Sequence, residues 1–149
     1  MTRAASAAAW VLTWAPMEAL AGAPELRGIR VLELRDNPLG SRGGVALART
    51  SHMRHIRSLG LQNVALGNEG LRALANSSAM GAVHALNLRG NDITHAGAAS
   101  LASSPYIKDV RVLDISDNPI GDEGAAALAN SVNLRDATAL RLDRCGLAT

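Results

Sequence analysis

The sequence predicts an α/β solenoid. Parallel strands line the concave side of a curved horseshoe, α-helices line the convex side, and the winding unit is a 27-residue repeat. Three observations predict it. Apolar pairs with the spacing of a short strand recur along the chain. A polar position, Asn in three of its five occurrences, follows each pair at fixed distance. A glycine followed by a Leu-Ala pair then recurs in the second half of each unit. Self-similarity of this kind outranks any local reading, because a missed repeat misreads the whole fold.

The clearest unit runs from Val110 to Asn130. The first leucine of the strand recurs as Leu32, Leu59, Leu86, Leu113 and Leu140, and the second as Leu34, Leu61, Leu88, Ile115 and Leu142. Residues two apart share one face of a strand, so these pairs point into a core. The polar position follows as Asn37, Val64, Asn91, Asn118 and Cys145, with Val64 breaking the column. An apolar residue closes the turn at Leu39, Leu66, Ile93, Ile120 and Leu147.

The second half of the unit reads as a helix. Ser41, Asn68, His95 and Asp122 sit just before it, and three of these four are residue types whose side-chain oxygen caps a first turn. Gly43, Gly70, Gly97 and Gly124 follow two residues later. Glycine weakens a helix, so its recurrence predicts close backbone approach there. Leu47-Ala48, Leu74-Ala75, Leu101-Ala102 and Leu128-Ala129 supply a buried stripe. An apolar pair then leads into the next strand: Met53 and Ile56, Met80 and Val83, Ile107 and Val110, Leu134 and Ala137.

At these columns, over about residues 20–149, the chain resembles the leucine-rich repeat family. The form L-x-x-L-x-L-x-x-N-x-L-x-x-x-G-x-x-x-L-A is similar to the ribonuclease-inhibitor-like class, and G-L-R-A-L-A and G-A-A-A-L-A are most similar to bacterial members. The resemblance implies parallel strands inside, helices outside and a protein-binding role. Some members are GTPase activators or ubiquitin-ligase substrate receptors, which makes a regulator or adaptor the rival expectation, as is a fragment of a longer repeat protein. Physics points to the same shape. Parallel strands pack about 4.8 Å apart and helices about 8–10 Å apart, so a stack of both must curve around its sheet. No repeat can bury its leucines alone, and its neighbours supply the other wall.

A chain of 149 residues is expected to form one domain, residues 1–149, with 1–28 as an N-terminal capping repeat and 29–149 as four full repeats plus a terminal strand. Hydrophobic residues at 48% suffice for a core, and with 2% aromatics and no Phe that core is aliphatic. Trp10 and Trp14, four apart, are expected to cover the open end of the first repeat. A net charge of +2 predicts neither nucleic-acid nor membrane binding, and no run approaches the length of a membrane span. Charge is uneven: Asn37 to Asn68 holds four Arg and no acid, while Asp109 to Asp143 holds seven acids against three Arg. Solvated outer faces account for this, with head-to-tail stacking as the sharper alternative. The lone Cys145 fits a reducing compartment, and with the resemblance to bacterial members it implies a bacterial cytoplasm as the expected location. Arg3, the run Ala4 to Ala15 and Ala21-Gly22-Ala23 imitate a secretory signal, but Pro16 and Glu18 interrupt it.

The positions between the strand leucines point away from the core. They are Glu33 and Arg35, Gly60 and Gln62, Asn87 and Arg89, Asp114 and Ser116, Arg141 and Asp143. Glu33, Arg35, Gln62, Asn87, Arg89, Asp114, Ser116, Arg141 and Asp143 are the candidate binding residues. Beside them lie Asp36, Asn63, Asp117 and Arg144, and Asp114 and Asp117 are expected to pair with Arg141 and Arg144. They vary from turn to turn on an unvarying scaffold, as a binding surface does. Catalysis has little footing. His52-x-x-His55 has no Cys or carboxylate near it in sequence to complete a metal site, His84 and His95 stand apart, and Cys145 has no base beside it. The expected function is therefore a non-enzymatic module without cofactor, holding a protein partner of unknown identity on its concave face. The last strand, Leu140-x-Leu142, is expected to leave aliphatic side chains open. A longer array, a covering partner or end-to-end self-association would each account for that.

Overall fold

The computed structural model describes residues 4–6 and 14–148. Six strands form one parallel sheet in chain order: β1 (Ala4–Ser6), β2 (Val31–Glu33), β3 (Ser58–Gly60), β4 (Ala85–Asn87), β5 (Val112–Asp114) and β6 (Ala139–Arg141). The first leucine column is in register across it, Leu32 beside Leu59, then Leu86, Leu113 and Leu140. Helices α1 (Trp14–Ala21), α2 (Gly40–Arg49), α3 (Gly67–Ala75), α4 (His95–Ala102) and α5 (Gly121–Ala129) alternate with the strands and pack on one another in order. Shorter 3-10 turns at Pro24–Gly28, Ser78–Ala82 and Val132–Leu134 lead three of them back to the sheet.

The core is the aliphatic stack that the columns predict. Leu32, Leu59, Leu86 and Leu113 are buried, as are Leu34, Leu61, Leu88, Ile115 and the helix leucines Leu47, Leu74, Leu101 and Leu128. Each such burial stabilises by about 1.5–3 kcal/mol. Met17 and Ala21 of α1 are buried against α2, so this segment packs like a repeat. Trp10 lies outside the described residues. At the other end Leu140 and Leu147 are 38% and 41% exposed.

The cap residues differ from expectation. Helices α2, α3 and α5 begin after Leu39, Leu66 and Ile120 without a side-chain cap, whereas in α4 the Ala96 N–H donates to Thr94 Oγ1. Two members of the column instead bond to the following repeat. Asn68 accepts the Thr94 N–H at 3.0 Å and donates to Thr94 Oγ1 at 2.9 Å, and Asp122 accepts the Ala148 N–H at 3.0 Å. Of the adjacent glycines, Gly70 and Gly124 are where backbones approach: a Cβ on Gly70 would stand 3.2 Å from Ser41 Cα and 2.7 Å from Leu66 Cδ1, and one on Gly124 would stand 3.3 Å from His95 Cα, whereas Gly43 and Gly97 meet side chains.

Two ladders tie the turns together. In the first, Asn91 accepts the N–H groups of Val64 and Leu66 and donates to the carbonyls of Leu61, Leu88 and Arg89. Asn118 does the same one turn on, for Asn91 and Ile93. Where Val64 and Cys145 interrupt the column, the preceding turn closes itself. Pro38 and Pro119 follow Asn37 and Asn118, and there the Leu39 and Ile120 N–H groups bond back to the Asn37 and Asn118 carbonyls at 2.8 Å. Ala65 and Asp92 hold that place in the other turns with φ of 56° and 55°, which sends the N–H to the next repeat's Asn. So the breaks in the column coincide with prolines one turn earlier.

The second ladder is built on a hydroxyl column outside the hydropathy pattern. Thr50, Ser77, Ser104 and Ser131 donate their hydroxyls to Ala21, Ala48, Ala75 and Ala102, the carbonyl near the end of the preceding repeat's helix, at 2.5–2.6 Å. Each oxygen also accepts the N–H two residues on, at His52, Ala79, Tyr106 and Asn133. The orphan carbonyls of one helix are thus satisfied by the next repeat.

Candidate functional site

The outward side of the sheet is built in rows by the strand register. Val31, Ser58, Ala85, Val112 and Ala139 form a mainly apolar row. Glu33, Gly60, Asn87, Asp114 and Arg141 form the next. Arg35, Gln62, Arg89, Ser116 and Asp143 follow two residues further along the strands. The rim after them, Asp36, Asn63, Gly90, Asp117 and Arg144, has positive φ in every turn, between 53° and 67°. That conformation reverses the chain toward the helix and favours Gly, Asn and Asp.

Seven of the nine candidate residues border two adjoining cavities. One, of about 470 Å³, is bounded by Arg35, Gln62, Asn87, Arg89, Asp114 and Arg141. The other, of about 180 Å³, is lined by Glu33, Gly60, Gln62, Asn87, Asp114 and Arg141, with Ala85 and Val112 of the apolar row. Ser116 and Asp143 line neither. Ser116 is buried and its hydroxyl is committed to Asp143, accepting that residue's N–H at 3.1 Å and facing its carboxylate at 3.4 Å. Asp114 is also 8% exposed and accepts the Ser116 N–H at 3.0 Å.

The charges pair differently from expectation in one respect. Asp117 does meet Arg144, at 2.5 Å, but its other oxygen holds Arg89 at 2.5 Å. The Arg144 and Arg89 guanidiniums hold the Asp117 carboxyl below its ordinary value. Asp114 makes no ion pair with Arg141 among the described residues; its contact is Ser116. Both ion pairs lie at the surface, so they orient Arg89 more than they stabilise the fold.

Two acceptors on this face are left over. The Glu33 carboxylate lies across Gly60, filling the space where a side chain would stand, and its Oε1 is buried without a hydrogen-bond partner. Gln62 Oε1 is in the same condition. The sequence signal for Glu33 was the missing side chain at Gly60, its register partner.

Among the described residues no three His, Cys, Asp or Glu gather as a metal site. The Cys145 thiol is pushed up by burial, against the pull of the Asn118 N–H, and it stands in for an Asn side chain by pointing at the Ile115 carbonyl. A buried, protonated thiol is a poor nucleophile.

A stack of short parallel strands and helices, interlocked by side-chain ladders and bare on its sheet face, defines a repeat solenoid. A family model described as Leucine Rich repeat matches residues 29–48, 83–102 and 108–129, each covering a strand and the helix after it. The matched units are similar to leucine-rich repeats, a class that in general mediates protein–protein interaction. No curated protein matches the chain. No helix of the described residues is long and apolar enough to cross a membrane.

Proposed function

We propose that residues 1–149 are one ribonuclease-inhibitor-like solenoid domain that works without catalysis, holding a protein partner on its concave sheet face. The observation that carries this is the contrast between the two sides of the sheet. The inward leucines repeat from strand to strand, while the outward residues change at each strand and border continuous cavities. The partner contacts are Glu33, Arg35, Gln62, Asn87, Arg89, Asp114 and Arg141. A net charge of +2 supports a protein rather than nucleic acid or a membrane. The free, buried Cys145 supports a reducing compartment, and we place the protein in a bacterial cytoplasm. Whether the module serves as a regulator or adaptor depends on what it holds.

The test is capture on the immobilised chain followed by mass spectrometry, run beside two variants. One carries Arg35→Glu with Asn87→Ala on the sheet; the other carries Arg49→Glu with Arg72→Glu on the helices. A protein retained by the helix variant and lost by the sheet variant supports the reading. The reverse pattern refutes it.

A further inference from the structure

We infer that the cavity over Gly60 receives a basic side chain, Lys or Arg, of the protein partner; this rests on the sheet-face reading above. Three features of the cavity converge on that chemistry.

The first is a deficit of donors. Glu33 Oε1 and Gln62 Oε1 are both buried and both unpaired; Glu33 is the register partner of Gly60, and Gln62 follows Gly60 by two residues along its strand. Buried polar atoms in folded proteins are almost always paired, so two orphans of one kind in one place mark an unmet partner. Both are acceptors, and a carboxylate accepts only. The missing partner is therefore a donor, and beside Glu33 a cationic one.

The second is shape. Asn87 and Arg141 continue the Glu33 row past Gly60, and Gly60 contributes no side chain to it. Glu33 has folded into that notch, against the Gly60 backbone. Rotation of its side chain lifts the carboxylate off the glycine and into the cavity of about 180 Å³. Asp114, two strands on, adds a second carboxylate to the lining.

The third is the apolar row. Ala85 and Val112 line the same cavity next to the acceptors. A wall that is aliphatic on one side and acceptor-rich on the other matches the stem and head of Lys or Arg, which bury their methylenes while the charge finds a partner. An acidic side chain meets Glu33 and Asp114 as like charges, and a purely apolar one leaves both orphan oxygens unpaired. Arg141 is the single cation of the lining and stands beyond Asp114, at the far end from Glu33.

The experiment is an amide chemical-shift titration of the full chain with N-acetyl-arginine amide and N-acetyl-lysine amide. N-acetyl-citrulline amide and N-acetyl-glutamate amide serve as the neutral and acidic counterparts. The expected result is shifts at Gly60, Gln62 and Val112, and affinity for the cationic probes about tenfold above citrulline, a difference of one decade in Kd. Glu33→Gln, which keeps shape and removes charge, abolishes that preference, and Gln62→Leu weakens it. Equal response to citrulline or glutamate, a preference that survives Glu33→Gln, or shifts confined to other surfaces each overturn the inference. If a captured partner sits on the sheet face while the probes show no charge preference, this inference fails and the sheet-face reading stands. A partner that maps to the helices overturns both.

Discussion

Asn91→Ala removes the most connected side chain of the interior. Asn91 is fully buried and makes five hydrogen bonds to backbone groups of its own turn and the one before. Not all are lost equally. The Leu88 carbonyl keeps Asn118, and the Arg89 carbonyl keeps the Asn63 N–H. The Val64 and Leu66 N–H groups and the Leu61 carbonyl lose the partner the side chain gave them. Three stranded groups at about 1 kcal/mol each, the lower end for a buried orphan, predict a cost of about 3 kcal/mol. The Leu66 N–H has a fallback, the tight turn that Leu39 makes, but Ala65 stands where Pro38 sets that turn, with φ of 56°. Asn118→Ala strands fewer groups, because Leu88 keeps Asn91 and Ile115 keeps Cys145, so about 2 kcal/mol is expected there. Urea unfolding followed by circular dichroism measures both. A cost below about 1 kcal/mol for Asn91→Ala, or a larger cost for Asn118→Ala, refutes the ladder as the element that holds the turns in register.

Other substitutions test separate parts of the account. Ser104→Ala strands the Ala75 carbonyl and the Tyr106 N–H at a buried site and should cost about 1–3 kcal/mol by the same unfolding assay. Ala65→Gly relieves a left-handed alanine and should stabilise by up to about 1 kcal/mol, read as a raised melting temperature. Asp117 is depressed in the folded state, so its contribution is present above its ordinary value of 3.8 and disappears as pH falls through the lower folded value; the stability gap between wild type and Asp117→Asn should close on acidification below that value. Arg89→Glu faces Asp117 with a like charge and should weaken a captured partner at least about tenfold in Kd while the circular dichroism spectrum is unchanged.

Much of this architecture is legible in the sequence because it is stated several times. A leucine at one position is ambiguous, but Leu32, Leu59, Leu86, Leu113 and Leu140 in one column fix a register, and the strands pair at those residues. The glycine column is readable as a place without room, but the expected backbone approach is found at Gly70 and Gly124, while Gly43 and Gly97 are hemmed in by side chains. The direction of polar side chains is not legible in the same way. Asn68 and Asp122 have the chemistry of caps, and local reasoning assigns them to their own helices, yet they bond across to the next turn. The Thr50, Ser77, Ser104, Ser131 column recurs at the repeat spacing, but hydroxyls carry no hydropathy signal that marks it. On the face, alternation placed all nine candidates outward but could not show that Ser116 is consumed by Asp143, nor that Glu33 folds over Gly60.

The central claim is that the sheet face holds the partner, and amide chemical-shift mapping of the isotopically labelled chain against a captured partner tests it most directly. The account predicts perturbations clustered on the outward residues at 31–35, 58–62, 85–89, 112–116 and 139–143. Perturbations gathered instead on Gly40–Arg49, Gly67–Ala75 and Gly121–Ala129, with those strands silent, would contradict it.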